Sequence, residues 1–135
     1  MPRSPSLHHV AICVTDLDKA MALYVDGLGL VLDRVEDVPG RGIRVAFLRL
    51  GDAHVELIQP TRDDSEVSAF MAKRGEGLHH VALSVGSLDE AMAAAKSSGG
   101  REIPEASGVG AGGRPVAFLH PRTTHGVLIE LVESP

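Results

Sequence analysis

Two histidines and two glutamates at matched places in a repeated stretch are the residues of this chain best suited to chemistry. Residues 7–29 read LHHVAICVTDLDKAMALYVDGLG, and residues 78–100 read LHHVALSVGSLDEAMAAAKSSGG. At a constant offset of 71, twelve of these twenty-three positions are identical. The similarity resumes where Val45-Ala46-Phe47-Leu48 matches Val116-Ala117-Phe118-Leu119. With three extra residues in the second half, Val55-Glu56-Leu57 then matches Ile129-Glu130-Leu131. Each half therefore supplies one early histidine, His9 or His80, and one late carboxylate, Glu56 or Glu130. Two neutral imidazoles and two carboxylates make a borderline-to-hard donor set, better suited to Co²⁺, Ni²⁺, Mn²⁺, Fe²⁺ or Zn²⁺ than to Cu⁺. With a divalent ion the net charge of such a site is close to zero, so burial is tolerable. Open coordination positions would let a substrate oxygen bind and be polarised.

Each of these residues also has a plainer reading. His8 and His79, the first of each His-His pair, read as edge or surface residues. A lone His9 would more often be a core or surface histidine than a ligand. Glu56 inside VELI and Glu130 inside VLIEL resist that treatment, because an inward carboxylate without a partner is expensive. The repeat favours a shared metal site at His9, Glu56, His80 and Glu130.

The elements that position these residues follow from pattern. Leu7–Val14 alternates and is rich in Val and Ile, which predicts a strand. Thr15-Asp16 caps a helix reaching about Asp26, with Leu17, Ala20, Met21 and Tyr24 as its apolar stripe and Gly27 and Gly29 as its stop. Leu30–Glu36, Ile43–Leu50 and Ala53–Gln59 read as three more strands. The second half repeats the order. Leu78–Val85 is a strand, Ser87 with Glu90 makes a capping box for a helix to about Ser98, and strands follow near Arg101–Ile103, Pro115–His120 and Gly126–Val132. Between the halves, Asp63–Arg74 reads as a linking helix with Val67, Phe70 and Met71 on one face. The unit is βαβββ, present twice. Strand parity places Val10, Ile12 and Val14 under the helix and His9, Ala11 and Cys13 on the other face. Glu56 and Glu130 lie opposite their apolar neighbours, on the faces not needed for helix packing. Small side chains there, Ala11, Ala82 and Ser84, leave room for a pocket.

Bulk properties narrow the field. At 135 residues the chain reads as one domain, since halves of about 60 residues would be marginal alone. The expected bounds are module one at about 7–60, a linking helix at about 63–75 and module two at about 78–133. A net charge of −5 argues against a nucleic-acid partner. No 18-residue apolar run or signal-peptide core is present, so neither a membrane partner nor export is expected. Cys13 is the single cysteine, which excludes an intrachain disulfide and fits a reducing, cytoplasmic setting. Residues 1–6 read as a frayed terminus. Cys13 has no evident partner that would lower its pKa and reads as a packing residue.

Other features carry two readings each. Gly108–Gly113 is a phosphate-contacting loop or a hairpin connection. His120 and His125 are turn residues or substrate contacts. Arg44, Arg49, Lys73, Arg74, Arg114 and Arg122 are anion contacts or solvated charges.

The paired HHVA strands, the βαβββ repeat and the His/Glu spacing resemble the vicinal oxygen chelate superfamily. Within it, LHHVAICVTDLDKA, VAFLRLGDAHVELIQP, DDSEVSAFMAKRGEGLHHVAL and FLHPRTTHGVLIELVE are similar to the methylmalonyl-CoA epimerase family over nearly the whole chain. The resemblance implies an α+β fold of two βαβββ modules in a cup-shaped mixed sheet around one divalent ion, often Co²⁺. It implies ligands at His9, Glu56, His80 and Glu130, and a homodimer. The implied reaction interconverts (2R)- and (2S)-methylmalonyl-CoA by removing and returning the proton at C2 of this acyl-CoA thioester. Stabilising the developing enolate charge is the largest contribution such a metal site can make. Some relatives carry a Glu, proposed as one of two bases, where this chain has Val45. Glu130 is then the first candidate base, with Glu56 or a bound water as the second. Competing readings are a glyoxalase I-like lyase, an extradiol dioxygenase, and a metal-free small-molecule-binding protein. The fourth protein ligand argues against the dioxygenase, which needs two His and one carboxylate.

Overall fold

The computed structural model describes residues 4–110 and 113–135. Two compact units are distinguished: His9–His79, and the stretch up to His8 together with His80–Pro135. The first holds most of β1 (Ser6–Cys13), then α1 (Leu17–Met21), β2 (Val31–Val38), β3 (Ile43–Leu50), β4 (Ala53–Pro60) and α2 (Glu66–Arg74). Its strands run in the order β2-β3-β4-β1. The β2/β3 and β3/β4 pairs are antiparallel and β4/β1 is parallel.

Alternation along β1 builds two layers on its sheet. Val10, Ile12 and Val14 pack with Leu17, Ala20, Met21 and Tyr24 of the helix, over Ala46, Leu48, Val55 and Leu57. On the other face Ala11 and Cys13 join Val45, Phe47 and Ile58, and α2 covers them with Val67, Phe70 and Met71. Asp16 caps α1 by accepting from the Lys19 N–H at 3.0 Å. A second cap comes from far along the chain: Gln59 Oε1 accepts from the Leu17 N–H at 2.8 Å. The helix does not stay α-helical to its end. Ala22–Gly27 forms a π-helical turn, marked by the Leu28 N–H donating to the Leu23 carbonyl at 2.8 Å. Such turns leave no mark in hydrophobic period. Ser65 caps α2 through the Ser68 N–H.

The second unit holds most of β5 (Gly77–Val85), then α3 (Leu88–Ser97), β6 (Gly108–Val109), β7 (Pro115–Leu119) and β8 (Ile129–Glu133). Its order is β5-β8-β7-β6, with β5/β8 parallel and the other pairs antiparallel. This is the connectivity of the first unit over again. Ser87 accepts from the Glu90 N–H at 3.2 Å, as the capping box predicts. Glu133 Oε1 accepts from the Leu88 N–H at 2.9 Å, the counterpart of Gln59 on Leu17. The chain is thus α+β and built of two βαβββ modules.

Three expectations need correction. The strand expected at Arg101–Ile103 is a single bridge, Glu102 with Leu119. The real strand there is Gly108–Val109, two residues long with glycine as one of them and Gly110 next, so composition hid it. Of the terminus expected to fray, Ser6 already opens β1, and residues 1–3 lie outside the described residues. His8 and His79 are half-buried rather than surface residues, and the His79 ring meets Phe70 edge-on at 4.8 Å.

Candidate metal centre

Pairing register places each carboxylate. In the first unit Glu56 stands between Ala11 of β1 and Phe47 of β3. In the second, Glu130 stands between Ala82 of β5 and Phe118 of β7. Partners in register share a sheet face, so each glutamate projects from the face opposite its module's first helix. An alanine on one side and a phenylalanine on the other give both carboxylates the same frame. The alanines leave space, and the phenylalanines wall it with apolar surface.

The structure brings His9 and Glu56 together, Nδ1 to Oε2 at 3.0 Å. It brings His80 and Glu130 together, Nε2 to Oε1 at 2.9 Å. The two histidines turn different ring nitrogens to their carboxylates. The His80 ring also stands edge-on to Phe118, 5.7 Å between centroids and 80° between planes, which fixes its orientation. All four residues are buried, at 4–8% exposure. Among the described residues, the only other buried polar or charged side chain is Ser65, which caps α2. Burying two carboxylates costs several kcal/mol each unless they are paired, and a fold does not gather such groups for packing.

The donor chemistry fits a divalent ion. Within each unit a buried imidazole stands beside a buried carboxylate, the kind of donors that hold a divalent ion. Two ligands at right angles on one ion, with bonds of about 2.1 Å, lie roughly 3.0 Å apart; tetrahedral ligands would lie roughly 3.4 Å apart. The His–Glu separations of 3.0 and 2.9 Å match the first case. They are equally good hydrogen-bond lengths, so each pair is arranged with or without an ion.

Cys13 shares the strand face of His9 yet is fully buried, and burial pushes its thiol up to about 11. It is a packing residue among Ala11, Val45 and Ile58. Val45 is buried in the same cluster at 4% exposure and can carry no proton. His120 Nδ1 accepts from the Arg122 N–H at 3.1 Å and so caps the short turn Pro121–Thr123. His125 is exposed with φ of 63°, in the same turn. Gly108–Gly113 contains β6, and residues 111–112 of it lie outside the described residues. Arg44 pairs in register with Gln59, on the helix face, away from Glu56. Arg49 is on the face of Glu56 and pairs with His54, itself the partner of His9.

No helix among the described residues is long and apolar enough to cross a membrane. The glyoxalase/bleomycin resistance protein/dioxygenase superfamily matches residues 8–118. The mitochondrial methylmalonyl-CoA epimerase of Mus musculus is 38% identical over 95% of this chain and 72% of its own. An ethylmalonyl-CoA/methylmalonyl-CoA epimerase of Cereibacter sphaeroides is 36% identical over 93% of this chain and 95% of its own. Among solved structures, a Streptomyces coelicolor methylmalonyl-CoA epimerase variant in complex with 2-nitronate-propionyl-CoA superposes with a TM-score of 0.86, at 34% identity over 95% of this chain and 93% of that one. The chain belongs to the glyoxalase/bleomycin resistance protein/dioxygenase superfamily and, within it, to the methylmalonyl-CoA epimerase family.

Proposed function

We propose that this chain is a metal-dependent epimerase that interconverts (2R)- and (2S)-methylmalonyl-CoA. The observation that carries the reading is the pair of buried His/Glu couples at equivalent places in the two modules. Relatives named for this reaction share 36–38% of its residues. In this reading His9, Glu56, His80 and Glu130 hold one ion, cobalt by preference from the resemblance, and the two modules act as one domain. The bound ion would supply positive charge where the thioester oxygen becomes negative.

The rest falls to the chain's own residues. The C2 hydrogen lies between a thioester and a carboxylate and is acidic enough for a side-chain base. Glu130 takes it; the C–H electron pair moves into the thioester carbonyl, and a proton returns to the opposite face of C2. Val45 is aliphatic, so Glu56 is the group assigned to that second face. Phe47 and Phe118 stand beside the two carboxylates and exclude water, which raises the strength of every charge interaction there. A homodimer and a cytoplasmic setting complete the proposal.

Solvent deuterium is the direct test. With methylmalonyl-CoA in D₂O, the wild-type chain should place deuterium at C2 while interconverting the two epimers. No exchange and no epimerisation by the metal-replete chain, together with isomerisation of a glutathione hemithioacetal, would replace this reading with the glyoxalase one.

A further inference from the structure

Edge strand β2 carries a β-bulge. Its register with β3 runs Val31 to Arg49 and Leu32 to Leu48, then skips Asp33 and resumes with Arg34 opposite Phe47. One extra residue reverses which side chains face which side. Without it Asp33 would stand opposite Phe47; with it Arg34 does. Phe47 is the neighbour of Glu56, so Arg34, Phe47, Glu56 and Ala11 form one row across four strands on one face. The side chains agree: the Arg34 guanidinium lies over the Phe47 ring, 3.9 Å from its centroid. The adjacent row on that face is Val31, Arg49, His54 and His9. Arg34 and Arg49 are thus diagonal neighbours across the ladder, a spacing of roughly 7 to 8 Å between backbones.

Two guanidiniums are thus gathered on one face of a chain whose net charge is −5. Arg34 has carboxylates nearby, Glu36 at 3.4 Å and Asp33 at 3.6 Å. Both distances exceed the about 2.7–3.2 Å of a formed N–H···O bond. All three side chains are 40–47% exposed, where such pairs contribute little. The ring holds the guanidinium in place, and the two carboxylates stand on its Nε and Nη1 side at more than hydrogen-bond length. A planar donor fork beside a second guanidinium suits phosphate oxygens.

We propose that Arg34 and Arg49 bind the phosphate groups of the coenzyme A portion of the substrate, with Phe47 holding Arg34 in position. The proposal rests on the acyl-CoA reading above. Its geometry favours phosphate over the substrate carboxylate. Arg34 stands two strands from Glu56, about 9.5 Å across the sheet, whereas the carboxylate at C2 must lie beside the proton that Glu56 and Glu130 handle.

Calorimetric titration with propionyl-CoA and with propionyl-pantetheine tests it, because neither carries the C2 carboxylate and only the first carries phosphates. Arg34→Gln and Arg49→Gln should each weaken propionyl-CoA about tenfold and leave propionyl-pantetheine unchanged. Arg34→Lys should recover part of the loss. Unchanged melting temperatures would show that the variants fold. Wild-type affinity for propionyl-CoA in both Gln variants would overturn the proposal. So would a loss seen only with methylmalonyl-CoA, which would assign the arginines to the carboxylate. A wild-type chain that binds propionyl-CoA through these arginines but exchanges no deuterium at C2 would overturn the reaction and leave the phosphate site standing.

Discussion

Glu130 is the residue on which the mechanism can be tested most sharply. Its Oε1 lies 2.9 Å from His80 Nε2 in a site at 7% exposure. Glu130→Gln preserves size and one oxygen donor but removes the basic carboxylate. Epimerisation should fall by about two orders of magnitude or more, the usual scale for a general acid–base group, with metal still bound. One epimer should stop exchanging its C2 proton while the other continues, as the proposal of a different group for each face requires. Metal-replete Glu130→Gln with unchanged turnover would remove Glu130 from the role. Cys13 gives the opposite expectation. With its thiol pushed to about 11 by burial, about one molecule in a thousand is thiolate at pH 8, and none of it is accessible. A thiol reagent at pH 8 should label it only after denaturation; fast labelling of the native chain would contradict the packing role. The metal-site candidates were legible in sequence because duplication wrote them twice, each inside an apolar run. Arg34 was not, because a bulge changes strand parity and alternation cannot register it. Nor could sequence say that His9 would turn Nδ1 and His80 Nε2 to their carboxylates.

At the scale of elements, most strands and helices were readable from local pattern. The alternation of β1 and β5, the Ser87 box and the apolar face of α2 are all local signals. What escaped is either non-local or too short. The two-residue strand β6 has no period to detect. Caps from Gln59 onto Leu17 and Glu133 onto Leu88 join residues 42 and 45 positions apart. Their matched geometry explains why a polar residue stands at or next to the end of the last strand of each module. It closes the donors left open at the first turn of a helix. Glu133 also brings a negative charge to the positive end of α3. Glu133→Ala should therefore cost about 1 kcal/mol, the scale of a lost N-cap, with Gln59→Ala close behind. Denaturant midpoints read both. Glu133→Gln should recover the hydrogen bond but not the charge term, and so fall between wild type and alanine. A Glu133→Ala midpoint equal to that of wild type would show the cap to be idle.

At the scale of the whole chain, the question is whether the two His/Glu couples serve one ion or two. The proposed shared site follows from the donor count on chemical grounds. One imidazole and one carboxylate from a single module would leave four positions of a six-coordinate ion to water, a weak site. Two imidazoles and two carboxylates give a near-neutral complex with two positions open for a chelating substrate. Sharing has a thermodynamic signature, because an ion that binds only the folded chain stabilises it by about 2.7 kcal/mol when present at 100 times its dissociation constant. If the couples share it, saturating Co²⁺ should raise the melting temperature in one step, with one ion bound per chain. His9→Ala and His80→Ala should each abolish nearly all of that rise, although the two residues come from different modules. Metal analysis and thermal melts of the three chains give the answer. Two ions per wild-type chain, or a half-sized rise surviving in each variant, would mean two separate sites. A duplicated unit would then have kept two independent copies of its chemistry instead of combining them into one.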